Sequence, residues 1–211
     1  MVDPDRSASS SRDNALAERR IGIILAGHRG DLDFAAKGLS DPDPSIRAAA
    51  LGAVARAGGW TQDLARKAMS DSAVLVRTRS YELISSAEGL IELLRSGLSD
   101  QDPLAVVACC AALGRLGIKE AVSELAGLAG EHPDLRCQEA AVAALGEIGD
   151  PAGLAAVLEA TKAKPAVRRR AAVALAGFEG KVVEDALDKL AEDRDWQVRD
   201  VVTRLRRDPI T

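Results

Sequence analysis

Aromatic residues are nearly missing from this chain: two Trp, two Phe and one Tyr make up 2% of its 211 residues. Strands draw on aromatic and β-branched side chains, so this scarcity argues against a β-sandwich or barrel. Cysteine is sparse too. The three, at 109, 110 and 137, are odd in number and lack a Cys-x-x-Cys spacing. That argues against a disulfide framework or a metal site and fits buried thiols in a reducing cytoplasm. Histidine occurs twice, at 28 and 132, in expected turns, and no Gly-rich phosphate loop or nucleophile elbow accompanies it. Long hydrophobic runs are absent as well. The compact apolar run Ile21–Gly27 is far too short to span a bilayer, and it follows the charged cluster Glu18-Arg19-Arg20, so it reads as helix and not as a signal-peptide core. Lys and Arg total 28 against 32 Asp and Glu, and a net charge of −4 lacks the footprint of non-specific phosphate-backbone binding.

What the chain has in quantity is alanine, 39 residues against 18 Gly and 8 Pro. Ala has the best helix propensity and lets neighbouring helix axes approach, so an all-α fold is expected. The chain also repeats itself. Ile46-Arg47, Val76-Arg77, Ala105-Val106, Cys137-Gln138, Val167-Arg168 and Val198-Arg199 each open an Ala-rich run, with the second members spaced by 30, 29, 32, 30 and 31 residues. Seven residues further on stand Val54, Ile84, Leu113, Leu145 and Leu175, and the last copy departs at Arg206. A period near 30 over six copies predicts a solenoid of helix pairs, in which stacking makes the core. An amphipathic run precedes each copy, and turns such as Asp41-Pro42-Asp43-Pro44 supply the caps that start the second helix. Gly58-Gly59, Gly117, Gly149 and Gly180 are expected to close the second helices. The organisation expected is an unstructured leader over 1–13 and a repeat domain over 14–211. Within that domain a capping helix spans 14–27 and repeats span about 31–58, 61–87, 88–117, 118–149, 150–179 and 181–207.

The stretches Asp41-Pro-Asp-Pro-Ser-Ile-Arg-Ala-Ala-Ala and Cys137-Gln-Glu-Ala-Ala-Val-Ala-Ala-Leu-Gly-Glu-Ile-Gly-Asp-Pro151 resemble HEAT repeats, more narrowly the short HEAT-like repeats of the phycobilisome lyase type. The resemblance covers roughly residues 30–207. It implies a right-handed α-solenoid of about six helix pairs plus the N-terminal capping helix, with the Arg-bearing helices on the concave face. It also implies that a ladder of Asp41, Arg47, Asp71, Arg77, Arg168, Asp193 and Arg199 links neighbouring turns. Val106 and Gln138 replace Arg in repeats three and four, and His132 stands at an Asp position, which predicts a weaker polar link in the middle of the stack. The repeated His-Glu dipeptides that hold a di-iron centre in HEAT-like deoxyhypusine hydroxylases are missing from this sequence.

On the concave face an apolar stripe of Leu51, Tyr81, Val107, Cys110, Val142 and Val173 is expected, edged by Arg56, Arg115 and Glu147 among other charges. An apolar groove with charged edges has the composition of a protein or peptide site. The competing reading packs the residues four after the ladder position against the adjacent repeat. Arg168-Arg169-Arg170 with Arg199, Arg204, Arg206 and Arg207 offers a phosphate-binding patch, but the many acidic neighbours favour a solvated surface. Trp60 and Trp196 are expected to cap local hydrophobic contacts. The expectation is a non-catalytic, cytoplasmic, monomeric protein-binding scaffold or adaptor without cofactor, metal or membrane contact, its protein or peptide partner unidentified. The alternatives are a lyase-like or chaperone-like module holding a tetrapyrrole or other small molecule, and a nucleic-acid binder acting through the C-terminal arginines.

Overall fold

The computed structural model describes residues 4–207, with side chains from residue 13 onward. Thirteen α-helices and no strand occur among the described residues, and the fold is an α-solenoid. A first helix, α1 (Pro4–Arg29), precedes six helix pairs: α2 (Leu32–Lys37) with α3 (Pro44–Arg56), α4 (Gln62–Met69) with α5 (Val74–Leu83), α6 (Ile91–Ser96) with α7 (Pro103–Arg115), α8 (Val122–Glu131) with α9 (Leu135–Ile148), α10 (Leu154–Ala160) with α11 (Pro165–Ala174), and α12 (Lys181–Ala191) with α13 (Trp196–Arg207). The helix expected at 14–27 therefore starts ten residues earlier, inside the segment expected to be unstructured, whose first three residues lie outside the described ones. Pro4 suits a first helical turn, and no Gly or Pro interrupts the chain from there until Gly22.

The chain divides into two compact units, Met1–Leu83 and Ile84–Thr211. In the first, Ile23 and Ala26 of α1, Ala35 of α2 and Ile46, Ala50, Ala53 and Val54 of α3 form one buried cluster, and Ala48, Leu51, Ala68 and Val76 form a second. In the second unit, successive second helices α7, α9, α11 and α13 pack against one another, with Val106, Leu113, Val142, Leu145, Val167, Leu175 and Val198 buried between layers.

Small residues set the spacing of those layers. A Cβ placed on Gly146 would lie 2.5 Å from the Cα of Ala174, and one on Gly114 would lie 2.9 Å from the Cα of Ala144. These distances are shorter than any real Cβ contact, so glycine is needed where α9 crosses α11 and where α7 crosses α9.

Helix ends follow the turn chemistry of the sequence. Asp43 accepts from the Ser45 amide at 2.8 Å, Asp102 from Leu104 at 2.9 Å and Asp134 from Arg136 at 2.8 Å, each satisfying an orphan amide of a first turn. Gly117 and Gly149 adopt φ of +65° and +63° just past the ends of α7 and α9, and the Ile118 amide reaches back to the Leu113 carbonyl at 3.1 Å. Gly180 corrects the expectation. It sits at φ +109° as the N-cap of α12, because the preceding helix has already tightened and ended at Gly177.

Candidate functional site

The ladder residues form a recurring device at the turn between paired helices. The Asp71 carboxylate accepts from the Ala73 amide at 2.8 Å and, through both oxygens, from Arg47 Nε at 3.0 Å and Nη2 at 2.8 Å. Arg47 Nη1 meanwhile donates to the carbonyls of Asp41 and Pro42, at 2.9 and 3.1 Å. One Arg thus closes its own turn and clamps the next. Arg168 repeats the arrangement with Asp193, at 2.8 Å for each of its two donors, and with the Ala163 carbonyl at 2.8 Å. Arg77 and Arg199 close their own turns on the carbonyls of Asp71 and Asp193, at 2.9 and 2.6 Å. Hydrogen bonds from Arg47 and Arg168 hold the carboxyls of Asp71 and Asp193 below the ordinary range against the opposing effect of burial.

Repeats three and four depart from this device in a coordinated way. His132 Nδ1 accepts from the Asp134 amide at 3.1 Å, keeping the turn that Asp makes elsewhere, and Gln138 Nε2 donates to the His132 carbonyl at 2.7 Å, as an Arg would. The position that would clamp His132 is Val106, fully buried. An Arg–carboxylate link between these repeats stands instead on the first helices, where Arg95 bonds Glu124 through Nε, at 2.8 Å, and Nη2.

The expected binding stripe is corrected by burial. Leu51, Tyr81, Cys110 and Val142 are 2%, 2%, 0% and 0% exposed and belong to the core. Val107 and Val173 are half-buried, while Arg56, Arg115 and Glu147 are exposed at the edge. Arg115 donates to the Ile84 carbonyl at 2.7 Å, and Glu147 lies over Gly114. The cause is helical phase. Buried positions recur at −1, +3, +4 and +7 around the ladder residue, as in Cys137, Ala141, Val142 and Leu145, one apolar face of a 3.6-residue helix. On α7 and α9 the positions −2 and +9 are exposed, and +2 and +5 between them are half-buried or exposed. They are Leu104, Ala108, Ala111 and Arg115 on α7, and Arg136, Ala140, Ala143 and Glu147 on α9.

This solvent-facing row exposes two large apolar residues that the sequence reading missed: Leu75, 49% exposed, and Leu104, 51% exposed. Both stand two before a ladder position and next to a buried Val or Ala, a signal present in the repeat alignment. In the first unit the row borders a groove of about 340 Å³ with Ile24, Leu75 and the small residues Ala48, Ala49 and Gly52, flanked by Arg20, Arg56 and Arg79. In the second unit a smaller groove of about 220 Å³ lies between Glu147 and Arg170, over Ala143 and Val173.

The chemistry of the remaining candidates is bland. All three cysteines are buried, burial pushes the Cys110 thiol up to about 12 and raises Cys109 as well, and the Cys109 thiol donates to the Leu94 carbonyl at 2.9 Å. No His, Cys, Asp and Glu group able to hold a metal occurs among the described residues. Five of the seven C-terminal arginines have separate partners or acceptors: Arg168 with Asp193, Arg169 with Gln197, Arg199 with the Asp193 carbonyl, Arg204 with Asp200 at 2.7 Å, and Arg206 with Asp188. Trp60 packs beside the second core cluster as expected, but Trp196 is 65% exposed at the start of α13. No helix among the described residues is long and apolar enough to cross a membrane.

Residues 87–165 match a family model described as HEAT repeats. Among solved structures the chain is similar to an engineered protein, with TM-score 0.57 and 19% identity over 82% of this chain and 94% of that one. It is also similar to a designed armadillo repeat protein, with TM-score 0.56 and 18% identity over 80% of this chain and 95% of that one. Human deoxyhypusine hydroxylase in complex with glycerol shares 24% identity over 74% of this chain and 65% of its own, at a TM-score of 0.48 too low to carry an argument. A search of curated proteins finds no match. Over residues 87–165, from the loop before α6 to the first residue of α11, the α-solenoid is thus built of stretches similar to HEAT repeats.

Proposed function

We propose that this chain is a non-catalytic protein-binding scaffold, monomeric and cytoplasmic, that engages its partner through the solvent-facing row of its second helices. The observation carrying the reading is Leu75, half-exposed beside Ala48, Ala49 and Gly52 in the groove of the first unit; in the second unit by itself, Leu104 is half-exposed at the equivalent repeat position. Exposed apolar anchors set among small residues and edged by Arg and Glu have the anatomy of an interaction surface. The buried, bonded thiols and divided arginines offer no nucleophile and no phosphate track. The likeness to lyase-type repeats rests on two sequence stretches, and no bond-making step follows from it.

The test is affinity capture from host lysate with wild type, Leu75→Asp and Leu104→Asp, read by quantitative mass spectrometry and an absorbance scan of the eluate. A protein retained by wild type and lost from a variant of unchanged helicity supports the reading. Capture that neither substitution alters, or an eluate holding a chromophore or nucleic acid and no protein, overturns it.

A further inference from the structure

The groove of the first unit carries a charge pattern that the chain as a whole does not. The protein has a net charge of −4, yet the residues lining this groove include three arginines and no carboxylate. Arg20 projects from α1, Arg56 from the last turn of α3, and Arg79 from α5. The Arg20 and Arg56 side chains have no hydrogen-bond or ion-pair partner among the described residues. Arg79 is held by Glu82, Nη1 to Oε2 at 2.6 Å, with its other terminal nitrogen 2.8 Å from where a Cβ on Gly52 would stand. Gly52 therefore leaves room for that guanidinium against α3. Between the arginines the surface is apolar and low: Ala48, Ala49 and Gly52 beneath, Ile24 and Leu75 as walls.

We propose that this groove docks an acidic peptide segment, its carboxylates taken by Arg20, Arg56 and Arg79 and an apolar side chain seated between Ile24 and Leu75. The proposal rests on the protein-binding reading and names the partner chemistry for the first unit. Charge complementarity selects the occupant. A planar guanidinium matches a carboxylate in two hydrogen bonds, and unpaired arginines in an otherwise acidic protein steer and orient an acidic segment. The apolar walls select a peptide over a phosphate backbone, which has nothing to bury there. A floor without long side chains lets a main chain approach the α3 surface.

Glu82 supplies a second handle, since it competes with an incoming carboxylate for Arg79. The test uses the full chain and a fluorescein-labelled dodecapeptide with four Glu flanking a central Leu-Leu pair, beside its Lys-for-Glu counterpart and a single-stranded dodecanucleotide, in fluorescence anisotropy at low and moderate salt. Wild type is expected to bind the Glu peptide saturably, weakening with salt. Arg20→Glu/Arg56→Glu should weaken that binding about tenfold or more and gain affinity for the Lys peptide, while Glu82→Gln should tighten the Glu peptide about two- to threefold. All three residues are solvent-accessible, and circular dichroism checks that helicity is kept.

Absence of saturable binding, indifference to the double charge reversal, or tighter binding of the oligonucleotide than of the Glu peptide each overturns the proposal. Failure here is distinguishable from failure of the scaffold reading. If the Glu peptide does not bind while Leu104→Asp still abolishes protein capture, the acidic-segment proposal falls and the scaffold stands.

Discussion

Asp193→Asn is expected to loosen the last repeat by an amount an exposed ion pair could never supply. Arg168 donates to both carboxylate oxygens at 2.8 Å, and the two side chains are only 6% and 11% exposed. The substitution keeps an oxygen for the Asp195 amide, which bonds Asp193 Oδ1 at 2.8 Å, so the turn survives while the charge is lost. Arg168 then keeps the Ala163 carbonyl and, through Nη2, the retained Oδ1, but its Nε meets an amide NH2 in place of Oδ2 and its charge loses the bidentate carboxylate. Breaking a buried pair from one side costs about 3–5 kcal/mol, and the retained turn bond lowers the expectation to about 2–4 kcal/mol. The control is Asp185→Asn, whose partner Lys181 is 84% exposed; exposed pairs contribute about 0–1 kcal/mol. Urea unfolding gives the stabilities, and hydrogen exchange of α11 to α13 locates the loss. The pH dependence has a definite sign. Arg168 holds the Asp193 carboxyl below its ordinary value, so the stabilisation is complete above the unfolded pKa of about 3.9 and disappears as pH falls through the lower folded value. The gap between wild type and variant should therefore stay constant from neutrality down to about pH 5 and close only in stronger acid. A loss no larger than that of Asp185→Asn, or a gap that closes near neutrality, would refute the reasoning.

Gly146→Ala should destabilise by about 1–3 kcal/mol through overpacking against the Ala174 backbone, whereas Gly127→Ala, in α8 with open space at its Cβ position, should stabilise by up to about 1 kcal/mol; thermal melts of the two variants compare them directly. Val142→Asp should abolish the folded state of the second unit by burying an unpaired charge, while Leu104→Asp should leave the melting curve within about 0.5 kcal/mol of wild type. A thiol reagent at pH 8 should label none of Cys109, Cys110 and Cys137 until urea unfolds the chain, because burial suppresses their thiolates; rapid labelling of any of them in the folded protein would show an open path to it.

The fold was legible because the solenoid writes it six times. The ladder spacing, the Asp-Pro turns and the Ala-rich runs fix element order and pairing, and all six pairs stand where the period places them. The binding row was harder to read, because Ala occupies both buried and solvent-facing positions of the second helices and carries no hydrophobic contrast. Ala141 and Ala144 are buried, for example, while Ala140 and Ala143 are half-buried. With that contrast missing, a one-residue error of phase moves Leu51, Tyr81, Cys110 and Val142 from core to groove. The larger side chains hold the phase: −1, +4 and +7 gather most of the bulky residues, +3 is buried but small, and −2 is left for Leu75 and Leu104. The arginine groove of the first unit was hidden for another reason. Arg20 lies on α1, outside the repeat register, and no periodic alignment brings it beside Arg56 and Arg79.

The break in the ladder shows how a repeat array moves a polar link without losing its turn geometry. An Asp at 132 would face Val106 and keep an unpaired charge in a half-buried turn, whereas His132 supplies the same amide acceptor without a fixed negative charge. An Arg at 138 would find Lys162 where the fifth repeat's Asp should be; Gln138 closes its own turn and adds no charge facing that lysine. Each apparently missing residue is thus matched by a missing partner one repeat away. The link between repeats three and four survives on the first helices as Arg95 with Glu124, whose carboxyl, despite burial, is held below its ordinary value by Arg95. That pair is about a third exposed on each side, against 6% and 11% for Arg168 and Asp193, so it is worth much less per bond. Cohesion in the middle of the chain therefore falls to the apolar contacts of α7 with α9, where Gly114 brings the helices close enough for Ala and Val to bury nearly all their surface. The outer layers are pinned by buried ion pairs and the middle ones mainly by proximity, so acid should weaken the first arrangement more than the second.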